Sequence, residues 1–232
     1  MSRTLKGALA LAAAVGLYQA AAFASGSGTP SMPSSGGGGG MKSNEERAID
    51  SYKTGDEHRL KGKSFEEQAT TKSGADRDKL MAKAKGEFEK SYKDFKSASQ
   101  LNPKMFQAYN GMGFALRKTG DYTKALEMYD QAIKMAEPQG FFAEAVEYRA
   151  EAYLGLNRID DAKKAYMDLF AADRKQADLL MVAMKQWVEQ KKANPAGVDA
   201  AALEGFTKWV GERSEVAKVS RLMATSTSHG SW

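Results

Sequence analysis

Few residues in this sequence could do covalent or acid–base chemistry. His58 and His229 are the only imidazoles, and the chain has no cysteine. Lacking thiols, it cannot hold disulfides, thiolate zinc sites or iron–sulfur clusters, or use a cysteine nucleophile. No Ser or Asp has a histidine partner placed to activate it, and no His/Asp/Glu set has metal-ligand spacing. No glycine-rich loop follows a strand to cradle phosphate. His58 reads as a solvated or packed side chain, and His229 falls in the C-terminal tail. The expectation is a protein that is not an enzyme, with no cofactor, no metal and no small-molecule substrate. What remains is charge. Lys90, Lys93 and Lys96 read as a solvated face. Glu144, Glu147 and Glu151 fall on one stripe of a helix, because spacings of three and four share a face.

The 232 residues suffice for one domain with an appendage. A mean hydropathy of −0.53 and the lack of any apolar run beyond the N-terminus exclude a polytopic membrane protein. Residues 1–24 read as a signal peptide: Arg3 and Lys6 form a positive start, Ala8 to Tyr18 an apolar stretch, and Ala22-Phe23-Ala24 a small-x-small cleavage site. A retained N-terminal anchor is the alternative, so membrane attachment is expected only if cleavage after Ala24 does not occur. Losing Arg3 and Lys6 takes the formal net charge from +5 to +3. So modest a charge on an exported protein argues against nucleic acid as a partner. Residues 25–42, rich in Gly, Ser and Pro, read as a flexible linker with a reach of roughly 25 Å.

From Ser43 onward the pattern is helical. Ser43 to Glu46 and Ser64 to Glu67 both have the Ser-x-x-Glu form of a capping box. Asp121 and Asp160 sit where N-caps are expected, and Pro103, Pro138 and Pro195 fall at helix breaks. The fold class expected is all-α: antiparallel helical hairpins stacked as a short right-handed solenoid.

A repeat gives that class its form. Gly86-Glu87-Phe88 recurs as Gly120-Asp121-Tyr122, a spacing of 34 residues, and at that spacing Phe95 matches Tyr129 and Ala98 matches Ala132. A third copy has Asn157-Arg158-Ile159 at the turn, with Ala162 and Tyr166 matching Ala125 and Tyr129. Such a period marks units that bury their faces only against one another. The run Tyr109 to Leu116, then Gly120-Asp121-Tyr122, Ala125, Tyr129, Ala132 and Pro138, resembles the tetratricopeptide repeat. Gly113, Ala125 and Ala132 are small where two helices would cross closely, and Tyr109, Tyr122 and Tyr129 would fill the space between hairpins.

Residues 43–174 are thus expected to hold the repeats, as a hairpin at 43–104 and units at 105–138 and 141–174. Two readings of the first hairpin stand open. Gly86 is either a turn between short helices, or one glycine inside the stripe Leu80, Ala84, Phe88, Tyr92 and Phe95 of a long one. The long form, with helices at 44–71 and 75–100, is favoured because Thr71 to Gly74 offers a turn. Residues 175–224 read as capping helices, with Trp187 and Trp209 in their core, and 225–232 as a disordered tail.

The resemblance implies a concave groove lined by the first helix of each unit. Carried onto this chain, it assigns Gln107, Asn110, Phe114, Arg117 and Lys118 in the second unit and Glu144, Glu147 and Glu151 in the third. The groove would be basic at one end and acidic at the next. It would suit a partner protein's segment bearing Lys or Arg, unless the three Glu are only a solvated face. The chaperone-type carboxylate grip is not reproduced, since Glu144 and Tyr148 stand where basic residues would be needed. The functional expectation is a protein-binding adaptor exported to the periplasm or cell envelope of a bacterium. The alternative is a structural subunit of an envelope assembly that self-associates.

Overall fold

The computed structural model describes residues 42–227 and the side chains of 42–220. Residues 1–41 and 228–232 lie outside the described residues, and with them the stretch read as a signal peptide, nearly all of the stretch read as a linker, and His229. Among the described residues there are eight α-helices and no strand, so the all-α expectation holds.

Helix α1 (Asn44–Thr70) starts at a closed capping box. The Glu46 amide donates to Ser43 Oγ at 3.2 Å, and the Ser43 amide donates to the Glu46 carboxylate at 2.8 Å. Its buried face is Ala48, Gly55, Gly62 and Ala69, one small residue every seven positions. A seven-residue period keeps one seam against a neighbour along the full length of a helix. Helix α2 (Gly74–Leu101) packs antiparallel along that seam and passes through Gly86 unbroken. Phe88 lies over Gly62, Phe95 lies over Gly55, and Ser91 Oγ donates to the Gly55 carbonyl at 2.8 Å. Ser64 sits inside α1, where it accepts from Gln68, and caps nothing. No turn precedes it, so its Ser-x-x-Glu spacing has no helix start to serve.

Helices α3 (Phe106–Thr119) and α4 (Tyr122–Ala136) form the next hairpin. Gly120 closes α3 at φ 93°, a left-handed position that glycine takes without strain. Asp121 caps α4, accepting from the Lys124 amide at 3.3 Å. Gly113 lets α4 approach so closely that a Cβ there would lie 2.7 Å from the Tyr129 ring. Ala125, Tyr129 and Ala132 are fully buried at the crossing. A short 3-10 turn over Glu137–Gln139 carries Pro138.

Helices α5 (Ala143–Gly155) and α6 (Ile159–Ala172) follow, joined through Asn157 at φ 58° where the preceding hairpin uses glycine. The N-cap position of α6 is Arg158, so Asp160 lies in the first turn rather than capping it. Beside Asp161 there, it still faces the positive end of the helix dipole.

Helices α7 (Arg174–Ala193) and α8 (Ala200–Thr227) cover the last hairpin. Trp187 donates its Nε1–H to the Leu154 carbonyl at 2.7 Å, and Phe206, Val210, Leu180 and Met184 complete this core. Trp209 is half-buried against it. Asp199 caps α8 through the Ala202 amide at 3.0 Å. Helix α8 runs to Thr227, past the point where the tail was expected to begin, because no Gly or Pro stands between Gly211 and Gly230 to stop it. No described helix is long and apolar enough to cross a membrane.

Each helix packs on the next in order. The odd-numbered helices also touch in the order α1, α3, α5, α7. They form the inner row on which the candidate residues lie.

Candidate functional site: the inner face of α1, α3 and α5

Two contacts set the register between α3 and α5. The Phe114 and Tyr148 rings meet edge to face at 5.2 Å, and Arg117 pairs with the Glu151 carboxylate. Both contacts join residues 34 apart, so equivalent positions of adjacent units face each other. Arg117 is only 8% exposed. Its guanidinium lies 5.2 Å from the centre of the Phe114 ring and 5.1 Å from that of Tyr148, and its Nε–H donates to the Tyr129 hydroxyl at 3.3 Å. Burial works against its charge, but Tyr129 and Glu147 beside it outweigh that and raise its pKa. Burial in turn pushes the Tyr129 hydroxyl up to about 12.

Lys118 reaches the other way. It pairs with Glu66 of α1 at 2.6 Å and lies near the faces of Phe88 and Phe114. Burial lowers its pKa despite that partner. Arg59 of α1 lies 5.5 Å from the centre of the Phe114 ring and is held by Asp56 at 2.6 Å. Phe114 is therefore the buried hub of a cluster with three cations around it. Such contacts are worth about 0.5–2 kcal/mol each, more as they are desolvated.

The acidic stripe faces inward. Glu144 is half-buried, Glu151 is taken up by Arg117, and Glu147 is 2% exposed. Burial, opposed by Arg117 and reinforced by Glu144, pushes the Glu147 carboxyl up to about 7. Its Oε2 meets no hydrogen-bond donor. The same holds for Oδ1 of Asn110, which is 7% exposed on α3. Buried acceptors without partners are rare in folded proteins, because each forfeits its hydration for nothing in return. Gln107, one turn before Asn110, is exposed.

The structure thus brings Asn110, Phe114, Arg117 and Lys118 together with Glu144, Glu147 and Glu151, but not as a surface basic at one end and acidic at the next. Arg117 and Lys118 are each matched by a carboxylate from a neighbouring unit, which the linear sequence does not reveal. Nor are the three Glu a uniformly wet face. Sequence reasoning missed Arg59 and Glu66, because residues 43–104 were set apart from the repeat pattern. The Ala/Gly seam of α1 was the available signal, since it fixes which side of α1 meets α2.

His58 lies elsewhere, between α1 and α2. Its Nδ1 is 2.6 Å from the Glu87 carboxylate and its Nε2 is 3.8 Å from that of Asp94. The Lys90 ammonium and the His58 contact, against burial, pull Glu87 down to about 2. No group of His, Asp and Glu able to hold a metal ion is found among the described residues.

Stacked helical hairpins with a charged and aromatic inner row define a helical-repeat module. Residues 106–137, the hairpin of α3 and α4, match the family model of the tetratricopeptide repeat. Repeats of this kind generally bind protein partners and are generally non-catalytic. No curated protein matches the chain.

Proposed function

We propose that this protein is a non-catalytic adaptor that binds a segment of a partner protein along the inner face of α1, α3 and α5. The observation carrying this reading is the match of residues 106–137 to a repeat that generally binds proteins. Supporting it, the inner row holds two buried oxygens that meet no hydrogen-bond donor, Asn110 Oδ1 and Glu147 Oε2. The segment's charge is read as basic: Arg117 and Lys118 are each paired with a carboxylate, whereas Glu144, half-buried on α5, forms no salt bridge among the described residues. The adaptor is exported to the periplasm or envelope of a bacterium, a reading that rests on the pattern of residues 3–24.

The test is affinity capture from a bacterial envelope extract, at low and high salt, with the wild-type protein beside Glu144→Lys. Glu144 is half-buried and forms no salt bridge among the described residues, although its charge acts on Arg59, so reversing it leaves the Arg117–Glu151 pair in place. A partner held by wild type, and released by both the substitution and salt, is the expected result. Identical recovery by the two proteins in both buffers would show that the partner does not bind along the inner face.

A further inference from the structure

Of the buried side-chain oxygens that meet no donor among the described residues, Asn110 Oδ1 and Glu147 Oε2 lie on the inner row, whereas Asn157 Oδ1 lies at the α5–α6 turn. Phe114 on Tyr148, together with Arg117 on Glu151, sets α3 and α5 in a register that brings Asn110 level with Glu144. Glu147 stands one turn further along the same stripe, about 4.5 Å along the axis. Asn110, Glu144 and Glu147 therefore lie on one stretch of the inner row, and the charge of Glu144 acts on Glu147. Two of them are more than nine-tenths buried with an unmet oxygen, and the third is half-buried beside them. Around this place Arg117 pairs with Glu151 and donates to Tyr129, Lys118 pairs with Glu66 and Arg59 pairs with Asp56, while the charge of Glu144 also acts on Arg59 and that of Lys63 on Glu147.

We propose that Asn110, Glu144 and Glu147 form a receiving site for one primary ammonium group of a bound protein segment, either a lysine side chain or a free N-terminus. This rests on the groove reading above and specifies its anchor. An ammonium is a compact point charge with three donors, which suits three acceptors. A guanidinium is a planar fork that gains by stacking. The rings it would need, Phe114 and Tyr148, are already covered by Arg117 and Arg59.

Capture of the cation is coupled to loss of a proton. Glu147 is faced by Arg117 and Lys118 from α3, Lys63 from α1, Tyr129 from α4, and Glu144 and Tyr148 from its own helix. Their combined effect together with burial leaves its carboxyl largely protonated on the acid side of about 7. An incoming ammonium favours the charged form, so the proton leaves to solvent as the ion pair forms.

The probes are three decapeptides of Ala and Ser, titrated into the full chain by calorimetry and amide NMR. One has blocked termini and a single central lysine, one has norleucine in that place, and one has a free N-terminus and no lysine. The lysine or free-amine peptide is expected to bind about tenfold tighter than the norleucine peptide. For the lysine peptide that preference should grow from about pH 5.5 to about pH 8, with proton release on binding, whereas for the free N-terminus, whose own pKa is about 8, it should grow only to about pH 7. Glu147→Gln, close in shape and free of the buried charge, should abolish both the preference and the proton release, with helicity unchanged by circular dichroism. Which of the two amine peptides wins identifies the source of the ammonium. Equal binding of lysine and norleucine peptides, with shifts on α3 and α5, would overturn the ammonium site and leave the groove standing. Shifts confined to other helices, or no binding, would overturn both.

Discussion

Gly111→Ala puts the inter-hairpin contact to a quantitative test. Gly111 lies on α3, where an added Cβ would sit 2.6 Å from two atoms of the Phe95 ring. The ring is 1% exposed and cannot retreat, because its other neighbour is Gly55 of α1, where a Cβ would lie 2.9 Å away. Phe95 is thus a plate held between two glycines on different helices. Overpacking of this kind costs about 1–3 kcal/mol. Alanine in a helix interior recovers about 1 kcal/mol relative to glycine, so the net loss should be about 1 kcal/mol, rising to about 2 if α3 must shift. The control is Gly86→Ala in α2, where nothing lies within 4 Å of the new Cβ. That variant keeps only the propensity gain and should be more stable by about 0.5–1 kcal/mol. Urea unfolding followed by far-UV circular dichroism, on both variants in one buffer, gives opposite signs if the geometry is right. Equal shifts in the same direction would refute the clasp around Phe95.

Three further outcomes follow from the inner row and the first hairpin. Glu147 is raised from an ordinary 4.5 to about 7, so its charge opposes folding: the penalty is absent below about pH 4.5 and grows as pH rises toward 7. Glu147→Gln should therefore match wild type near pH 4.5 and exceed its stability at pH 8 by up to about 3 kcal/mol, measured by urea unfolding at both pH values. Arg117→Ala strands a carboxylate and empties the space between Phe114 and Tyr148; a loss of about 3 kcal/mol is expected in the same assay at neutral pH. Glu87, drawn down to about 2, contributes stability above about pH 4.5 that is lost as pH falls toward 2. Glu87→Gln should flatten that acid limb, as read by helicity against pH.

The hairpins α3–α4 and α5–α6 could be read along the sequence because their crossings need small residues at set places, such as Gly113 and Ala125, with tyrosines between them. Helix α1 was harder. Its buried face is Ala48, Gly55, Gly62 and Ala69, so hardly any apolar contrast marks it, and only the seven-residue spacing betrays the seam. The inner row was legible residue by residue but not as a circuit. Arg117 and Glu151 are partners because two units stack in one register, and Lys118 finds Glu66 only because the first hairpin folds beside α3. Such pairings are properties of the assembled stack, and no local window of sequence contains them.

The pairs that cross the inner row also set a mechanical property. Lys118–Glu66 ties α3 to α1 and Arg117–Glu151 ties α5 to α3, both along the side that would open if the hairpins splayed apart. Moving α1, α3 and α5 apart would strain both ties at once. Separating them would therefore have to break both pairs, so the spacing of these three helices should resist being stretched.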